Sequence, residues 1–247
     1  MIYIKPKKKW GQNFLIDKNI CNKIVSSLEL KSNDSILEIG PGKGAITNLL
    51  TQKALKVVAI EIDNNLCEIL NQKNISNLKV INEDILKTNI KGYTSRIIVG
   101  NLPYYITTPI IFNFFESNKA WEEMYFLMQK EVAERIVAKP GSKTYGRLSI
   151  MTQIFSTPKI LFNVSPNVFR PIPKVKSSFV CIKKDIHKDI SDYDRFKNII
   201  RMIFNKRRKK LKNCITEEMN LNIKSNSELL NRRPEEISIE EYIEIIN

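Results

Sequence analysis

The sequence predicts an α/β protein with a doubly wound, mostly parallel sheet, followed by a small helical domain. Short apolar runs typical of buried strands alternate with helical stretches along most of the chain. This alternation is typical of parallel strands connected by helices that cover both faces of the sheet. Beyond His187 the strand-like runs stop and helical periodicity takes over. We therefore predict two domains, residues 1–186 and residues 187–247.

Each element of the first domain has a local signal. A helix is expected directly after Asp17, whose side chain suits a helix N-cap. Five strands and three helices then alternate: strands at 35–39, 56–62, 78–81, 96–100 and 124–128, and helices near 45–54, 66–73 and 109–115. Three later strands are expected at 150–155, 160–164 and 177–183, with a proline-rich loop at 166–175.

The second domain contains two predicted helices. Apolar residues on one face predict a long helix over residues 193–215. Ser238 and Glu241 have the spacing of a capping box, which predicts the start of a last helix. We expect this domain to bind RNA, for the reasons of charge given below.

The charge of the chain limits the classes of molecule that it is expected to bind. The net charge is +14 over 247 residues, which attracts polyanions such as nucleic acid or an anionic membrane. No stretch approaches the ~20 apolar residues that a membrane span needs. The first residues also lack the apolar core of a signal peptide. We therefore expect a cytoplasmic protein that does not associate with membranes.

A metal centre is not expected. Cys21, Cys67, Cys181 and Cys214 are far apart and form no C-x-x-C pair, so we expect reduced thiols. The only histidine, His187, lies in a polar stretch, and a zinc site is improbable with so few ligands. A catalytic role for His187 is disfavoured, although histidine is the commonest general base.

Polar groups follow successive predicted strands, which indicates a ligand site. The glycine-rich segment 38–44 follows the first strand, and its glycines allow a tight turn close to a ligand. Glu61 ends the next strand, Asp84 follows the third and Asn101 follows the fourth. In open α/β sheets ligands bind at this carboxyl edge.

Two cofactors are compatible with these strand ends. The glycine spacing is G-x-G-x-G, which differs from the G-x-G-x-x-G pattern of nicotinamide dinucleotide sites. Glu61 suits the ribose hydroxyls of either cofactor, and Asp84 suits an adenine amino group. No hydride-transfer machinery is apparent downstream. The sequence therefore favours S-adenosylmethionine over a nicotinamide cofactor.

The tetrapeptide Asn101-Leu102-Pro103-Tyr104 indicates chemistry on the amino group of a nucleobase. The exocyclic nitrogen of adenine is a poor nucleophile because its lone pair is delocalised into the ring. Two acceptors aimed at its protons return the lone pair to nitrogen, and we expect these to be the Asn101 side-chain oxygen and the Pro103 carbonyl. Tyr104 is expected to stack on the base. The alternative, without a functional role, is a strand followed by a proline turn with a half-buried tyrosine.

Nine segments spread along the chain carry a family likeness: 11–15, 38–44, 61–63, 83–84, 100–104, 129–132, 145–149, 169–175 and 204–209. Together they make the chain resemble the bacterial small-subunit ribosomal RNA adenine dimethyltransferases. The resemblance implies the class I S-adenosylmethionine-dependent methyltransferase fold. It also implies dimethylation of the N6 amines of two adjacent adenosines near the 3′ end of small-subunit rRNA, coupled to ribosome biogenesis.

The resemblance also implies residue roles and partners. The cofactor-binding residues would be Asn13, Leu15, Gly40, Gly42, Glu61, Asp84 and Asn101. The catalytic residues would be Asn101, Pro103, Tyr104 and Phe169, with Phe169 stacking on the second face of the base. The implied partner is rRNA within the immature small ribosomal subunit, which the protein would bind as a monomer. Tyr105 departs from the family, which usually has Asn there.

Basic residues cluster at the end of the long predicted helix. The run comprises Lys206, Arg207, Arg208, Lys209, Lys210 and Lys212. Such a run is often only a solvated face, but in a chain of this charge we favour contacts to rRNA phosphates. Phosphate contacts do not read sequence, so the choice of target would depend on RNA shape and on the ribosomal particle.

Three other functions are compatible with parts of the sequence. Methyltransferases that confer macrolide resistance on the large subunit share the expected fold, but usually carry Asn-Ile-Pro-Tyr where this chain has Leu102. A ribosome-assembly factor whose methylation is secondary is a second alternative. A nicotinamide oxidoreductase is a distant third.

Overall fold

The computed structural model describes residues 6–93, 95–117, 121–185, 190–224 and 227–247. His187 lies outside the described residues. The chain divides into two compact units. The first comprises the residues up to Ala133 together with Lys159–Lys183, and the second comprises Glu134–Pro158 together with Lys184–Asn247.

A mostly parallel sheet confirms the predicted fold class. Its order is β4-β3-β2-β5-β6-β9-β7, formed by β2 (Ser35–Ile39), β3 (Lys56–Glu61), β4 (Leu78–Asn82), β5 (Ile97–Asn101), β6 (Glu123–Gln129), β7 (Ser156–Val164) and β9 (Ser177–Lys184). The strands β2 to β6 run parallel, and β9 pairs antiparallel with β6. A second, two-stranded sheet pairs β1 (Phe14–Leu15) with β8 (Phe169–Arg170).

The helices of the first unit connect the strands. They are α1 (Lys18–Ser26), α2 (Thr47–Leu50), α3 (Asn64–Asn71) and α4 (Thr107–Ser117). The Asp17 side chain accepts the Ile20 N–H at 2.9 Å, which confirms the predicted N-cap of α1. The central strands are buried on both faces, as expected for parallel strands covered by helices.

The register of the sheet aligns the carboxyl ends of its strands. Ile39 is the partner of Gly100 across β2 and β5, and Glu61 is the partner of Asn82 across β3 and β4. The loops after these strands therefore begin at one edge of the sheet. This is the edge at which the sequence predicts a ligand site.

The second unit is mostly helical, and one predicted strand falls within it. It contains the end of α5 (Lys130–Ile136), from Glu134 onward, and all of α6 (Arg147–Gln153), α7 (Tyr193–Asn205) and α8 (Ile239–Ile246). The predicted strand at 150–155 is wrong, because most of that segment belongs to α6. A short apolar run that is buried on all sides has no periodicity by which a strand and a helix can be told apart.

The predicted helix over 193–215 is too long. Helix α7 ends at Asn205, directly before the basic run, and a short 3-10 helix follows at Leu211–Asn213. Consecutive like charges on adjacent turns repel one another and disfavour a continued helix. The capping box before α8 is confirmed, since the Ser238 side chain accepts the Glu241 N–H at 3.1 Å.

The observed units differ from the predicted division at residue 186. Glu134–Pro158 belongs to the second unit, although the sequence division assigns it to the first domain. Contacts within the second unit explain this: α6 packs against α7, and the Gly141 N–H donates to the Glu235 carbonyl at 2.6 Å. These contacts join segments that are distant in sequence, so composition along the chain does not reveal them.

Gly100 has no room for a side chain. A Cβ at this position would lie 2.6 Å from the Ile39 carbonyl oxygen on the neighbouring strand. We expect Gly100→Ala to lower the free energy of unfolding by about 1–3 kcal/mol, because β2 and β5 must move apart. Urea unfolding measures this, with Gly92→Ala as the control, since nothing lies within 4 Å of a Cβ at Gly92. Equal stabilities of the two variants would contradict the prediction.

A buried ion pair makes stability depend on pH. Arg96 donates to both oxygens of Asp34 at 2.7 and 2.6 Å, and this interaction lowers the pKa of the Asp34 carboxyl. A carboxyl with a lowered folded-state pKa stabilises the fold above its unfolded pKa of about 3.9, and this contribution is lost as the pH falls through the folded value.

We therefore expect Arg96→Gln to lower the free energy of unfolding at pH 7 by about 3 kcal/mol, because the variant leaves a buried carboxylate without its cation. The difference between the variant and the unchanged protein should shrink well below pH 4, where Asp34 becomes protonated. Urea unfolding at several pH values measures it. A difference that stays constant down to pH 2 would show that Asp34 is not the cause.

Candidate active site

A cavity of about 220 Å³ lies at the carboxyl edge of the sheet, within the first unit. Its walls come from residues 10–15, from the glycine loop after β2 and from the ends of β3, β4 and β5. The predicted site residues on these walls are Asn13, Leu15, Gly40, Gly42, Glu61, Asp84, Asn101, Pro103 and Tyr104. The structure thus brings together all the predicted site residues except Phe169.

The glycine loop approaches the cavity because its backbone is left-handed. Gly40 and Gly42 have φ values of +64° and +58°, which disfavour any residue with a Cβ. The Gly40 N–H donates to the Ile60 carbonyl at 2.9 Å, so the turn starts against the end of β3. A Cβ at Gly42 would lie 3.2 Å from the Phe14 ring, so the loop also packs closely on residues before α1.

Glu61 holds the glycine loop. One carboxylate oxygen accepts the Gly42 N–H and the other accepts the Asp63 N–H, both at 3.0 Å. Burial raises the pKa of Glu61, although these backbone donors oppose the shift. Each oxygen retains a second lone pair that a ligand hydroxyl could use.

Glu38 presents a buried acceptor without a partner. It lines the cavity at the end of β2, and one of its oxygens has no hydrogen-bond partner among the described residues. Burial raises the pKa of Glu38 to about 7. An unpaired buried polar atom is costly, so this oxygen is a place for a donor from a ligand.

Asp84 supplies a third acid at the same edge. One side-chain oxygen accepts the Leu86 N–H at 3.0 Å, which fixes the turn after β4. The carboxylate is only half-buried and lines the cavity. Its second oxygen accepts no hydrogen bond within the described part of the chain and is therefore free for a ligand amino group.

The orientation of Asn101 is fixed by the segment before α1. The Asn101 side-chain nitrogen donates to the Asn13 backbone carbonyl at 2.9 Å. Because the nitrogen is engaged there, the side-chain oxygen is left as the acceptor that Asn101 can offer to a ligand. The sequence predicts that this oxygen accepts a proton of the target amine, and that role stays a prediction.

The carbonyl of Pro103 is not the second acceptor that was expected. It already accepts the Ile106 N–H at 3.2 Å and the Thr107 hydroxyl at 3.1 Å, so both lone pairs serve the start of α4. The Leu102 carbonyl, by contrast, accepts no hydrogen bond from the described residues. Leu102 is therefore the backbone acceptor next to Asn101, and the sequence alone could not show which carbonyl the helix start uses.

Two tyrosines contribute to the wall after β5. Tyr104 is half-buried, and its hydroxyl lies 2.7 Å from the Ser177 hydroxyl, which fixes its ring. Burial raises the pKa of Tyr104, so it stays neutral. Tyr105 is 60% exposed, and its ring packs on the backbone of Gly11.

Phe169 does not reach the cavity, which corrects the expected stacking role. Its side chain is completely buried in the hydrophobic core together with Leu15 and Phe179. In the two-stranded sheet Phe169 is the partner of Leu15, so its backbone is held as well. Exposing this ring to a base would cost about 1.5–3 kcal/mol of lost burial.

Asp63 holds the segment before β1 in place, which the sequence did not predict. Asp63 is fully buried, and its two oxygens accept from the Lys7 side chain at 2.7 Å and the Gln12 side chain at 3.0 Å. Burial alone would raise the pKa of Asp63, but these two donors outweigh it and the pKa is lowered. The sequence gives no signal for this contact, because Lys7 and Asp63 are 56 residues apart in the chain.

The described residues contain no group of three or more side chains suited to hold a metal ion. None of the described helices combines the length and apolarity that crossing a membrane requires.

The fold and the cavity define the class of protein. A mostly parallel sheet with a cavity at the carboxyl ends of its strands is common to open α/β proteins, and solved structures with the fold of this chain are class I methyltransferases. A dimethyladenosine transferase from Plasmodium falciparum has the same fold, with a TM-score of 0.82 and 25% identity over 93% of this chain and 94% of that chain. The 23S rRNA methyltransferase ErmE gives a TM-score of 0.72 with 23% identity, over 94% of this chain and 98% of that chain.

The sequence comparisons identify the family. The profile described as ribosomal RNA adenine dimethylase matches residues 4–247. Two relatives are named ribosomal RNA small subunit methyltransferase A. The one from Mycoplasmopsis pulmonis is 44% identical over 85% of this chain and 83% of the relative. The one from Wigglesworthia glossinidia brevipalpis is 42% identical over 98% of this chain and 97% of the relative. The chain belongs to the ribosomal RNA adenine dimethylase family and is an rRNA adenine dimethyltransferase.

Removing the charge of Asp63 should release the segment before β1. We expect Asp63→Asn to make trypsin cleavage after Lys7 or Lys9 on the order of tenfold faster, because a lost charge-assisted hydrogen bond favours local opening by about 1.5 kcal/mol or more. Asp194→Asn, which removes an exposed acid on α7, is the control. Unchanged cleavage in both variants would show that Lys7 and Gln12 do not hold this segment.

Proposed function

We propose that the protein transfers methyl groups from S-adenosylmethionine to the N6 amines of two adjacent adenosines near the 3′ end of small-subunit rRNA. The observation that carries this proposal is the fixed side chain of Asn101, whose nitrogen is bound to the Asn13 carbonyl and whose oxygen remains an acceptor. Membership of the family and the names of the relatives support the substrate class.

The cavity residues fit S-adenosylmethionine. Gly40 and Gly42 make a turn whose backbone can approach a ligand, and the unpaired oxygen of Glu38 offers an acceptor to a ligand ammonium group. The spare lone pairs of Glu61 suit ribose hydroxyls, and the free oxygen of Asp84 suits an adenine amine. When bound, S-adenosylmethionine supplies a methyl group that its sulfonium has already activated.

Asn101 and Leu102 would activate the target amine. The Asn101 side-chain oxygen and the Leu102 carbonyl accept the two N6 protons, which localises the lone pair on nitrogen. Their fixed positions also align the amine, and holding two reactants in line is a large part of catalysis. No general base is required, because the methylated amine is acidic enough to release its proton to water.

Tyr104 would hold the target base. The adenine must leave its stack, at a cost of a few kcal/mol. Stacking on Tyr104 offsets this by about 1–3 kcal/mol, and the Ser177 contact keeps the ring in place beforehand. Of the two rings that were predicted to contact the base, Phe169 is buried in the core and Tyr104 lines the cavity.

The second transfer meets a different amine. A monomethylated N6 has one proton, so it can donate to only one of the two acceptors. Either Asn101 or Leu102 then keeps a free lone pair next to the new methyl group. We therefore infer that the second methyl is added with less help from hydrogen bonding than the first.

We infer that the substrate is rRNA within the immature small ribosomal subunit and that the protein acts on it as a monomer in the cytoplasm. The net charge of +14 supports binding to the rRNA backbone, with the second unit providing the basic run 206–210. Binding should therefore weaken steeply with salt.

The test uses labelled S-adenosylmethionine and unmethylated small ribosomal subunits, followed by digestion of the RNA and identification of the nucleosides. Labelled dimethyladenosine at two neighbouring positions near the 3′ end supports the proposal. Label that forms only in large-subunit RNA would indicate a resistance-type methyltransferase instead. Tight binding of subunits without any label would favour an assembly factor.

In the same assay we expect Asn101→Ala to lose at least two orders of magnitude in transfer, because one fixed acceptor contributes roughly that much in comparable sites. Asn65→Ala, which truncates an exposed asparagine on α3, should keep full activity. Circular dichroism checks that both variants fold. Near-normal transfer by a folded Asn101→Ala protein would contradict the mechanism.

A further inference from the structure

A second cavity, of about 230 Å³, lies within the second unit and is strongly basic. Four arginines line it, from α5, from the first residue of α6, from α7 and from the segment after α7: Arg135, Arg147, Arg201 and Arg207. None of its lining residues is acidic. The cavity therefore concentrates positive charge without an internal counter-ion.

Within the part of the chain that the structure describes, Arg207 is the one arginine of the four with an acidic partner. The Arg207 side chain donates to Glu235 at 3.3 Å and to the Lys143 carbonyl at 3.0 Å. Arg135, Arg147 and Arg201 make no ion pair or side-chain hydrogen bond with the described residues. Like charges held at one cavity repel each other, so an anion between them would stabilise this arrangement.

Arg147 gives the more specific indication of a ligand. Its Nε–H is buried and has no acceptor among the described residues. A buried donor without a partner costs about 1–3 kcal/mol, and native structures rarely leave one unpaired without a reason. The guanidinium is a rigid fork of donors that matches the oxygens of a phosphate group.

We propose that this cavity binds a backbone phosphate of the RNA substrate, with Arg147 and Arg201 donating to the phosphate oxygens. The choice of RNA as the source of the phosphate rests on the function proposed above. The residues Arg208, Lys209 and Lys210 do not line the cavity, so this is a defined site apart from the general attraction of the basic run.

A seated phosphate would position the RNA without reading its sequence. Phosphate contacts fix the register and orientation of a nucleic acid, and base contacts supply specificity. Arg135 and Arg201 are exposed at the cavity, whereas Arg147 is partly buried. We therefore expect Arg147 to fix the position of the phosphate, and Arg135 and Arg201 mainly to attract it by their charge.

The first arm of the test uses inorganic phosphate and does not depend on methyl transfer. The Nε–H signals of arginine are followed by nuclear magnetic resonance, and the signal of Arg147 is assigned by its loss in Arg147→Gln. We expect a saturable shift of this signal with phosphate and none with sodium chloride at equal ionic strength. Arg201→Gln should weaken phosphate binding about tenfold, as expected for one lost charge-assisted hydrogen bond.

The second arm measures binding of an unmethylated RNA fragment from the 3′ end of small-subunit rRNA over a range of salt concentrations. The double variant Arg147→Gln, Arg201→Gln should reduce the slope of log affinity against log salt by about one, the value for one lost phosphate contact. Lys224→Gln removes an exposed cation of the same unit and is the matched control. If the double variant does not fold, the exposed Arg201→Gln alone is compared with the control.

The outcomes separate this inference from the proposed function. A phosphate response together with a reduced RNA slope supports the site, even if no methyl transfer is detected. A phosphate response with an unchanged RNA slope overturns the assignment to RNA and indicates free phosphate or a nucleotide. Absence of any shift at Arg147 with phosphate overturns the inference.

Discussion

The cavity depends on the buried carboxylate of Glu61 and on the contacts that extend from it. Glu61 accepts the N–H groups of Gly42 and Asp63, which fixes the glycine loop and the start of α3 together. Asp63 in turn binds the Lys7 and Gln12 side chains, so the same contacts reach the segment that precedes β1. That segment supplies the Asn13 carbonyl that orients Asn101. Residues for binding and residues for chemistry are therefore positioned by one continuous set of hydrogen bonds.

The acids at this edge differ in how the protein compensates their burial. The carboxylates of Glu61 and Asp63 are surrounded by donors, and Asp63 receives enough of them that its pKa is lowered. At Glu38 burial outweighs the interactions that favour the carboxylate, and the pKa is raised to about 7. A buried acid that lines a cavity and lacks donors can accept a hydrogen bond from a ligand. The free-energy cost of burying its carboxylate is recovered when that donor binds. This agrees with a cofactor that carries an ammonium group.

The sequence predicted the parts of the structure that depend on local patterns. The parallel strands, the N-cap Asp17 and the placement of Glu61, Asp84 and Asn101 at one edge follow from strand periodicity and from the rule for open sheets. The errors concern interactions between distant segments. Helix α6 was taken for a strand because its apolar residues are buried all round, and the membership of Glu134–Pro158 in the second unit depends on contacts with residues near Glu235. The Pro103 carbonyl was misassigned because the sequence does not show that it accepts hydrogen bonds at the start of α4. The Phe169 ring was misassigned because the sequence does not show that it is buried in the core.

The observed contacts explain why position 101 requires an asparagine. The side chain there donates to the Asn13 carbonyl, and the proposed mechanism also requires it to keep an acceptor for the amine. A carboxamide offers both groups in one plane, whereas an aspartate would place a carboxylate oxygen against the Asn13 carbonyl and lose the bond that orients it. A glutamine has both groups, but its longer side chain displaces the acceptor from the Leu102 carbonyl. The identity of this residue therefore follows from two simultaneous requirements, one within the protein and one towards the substrate.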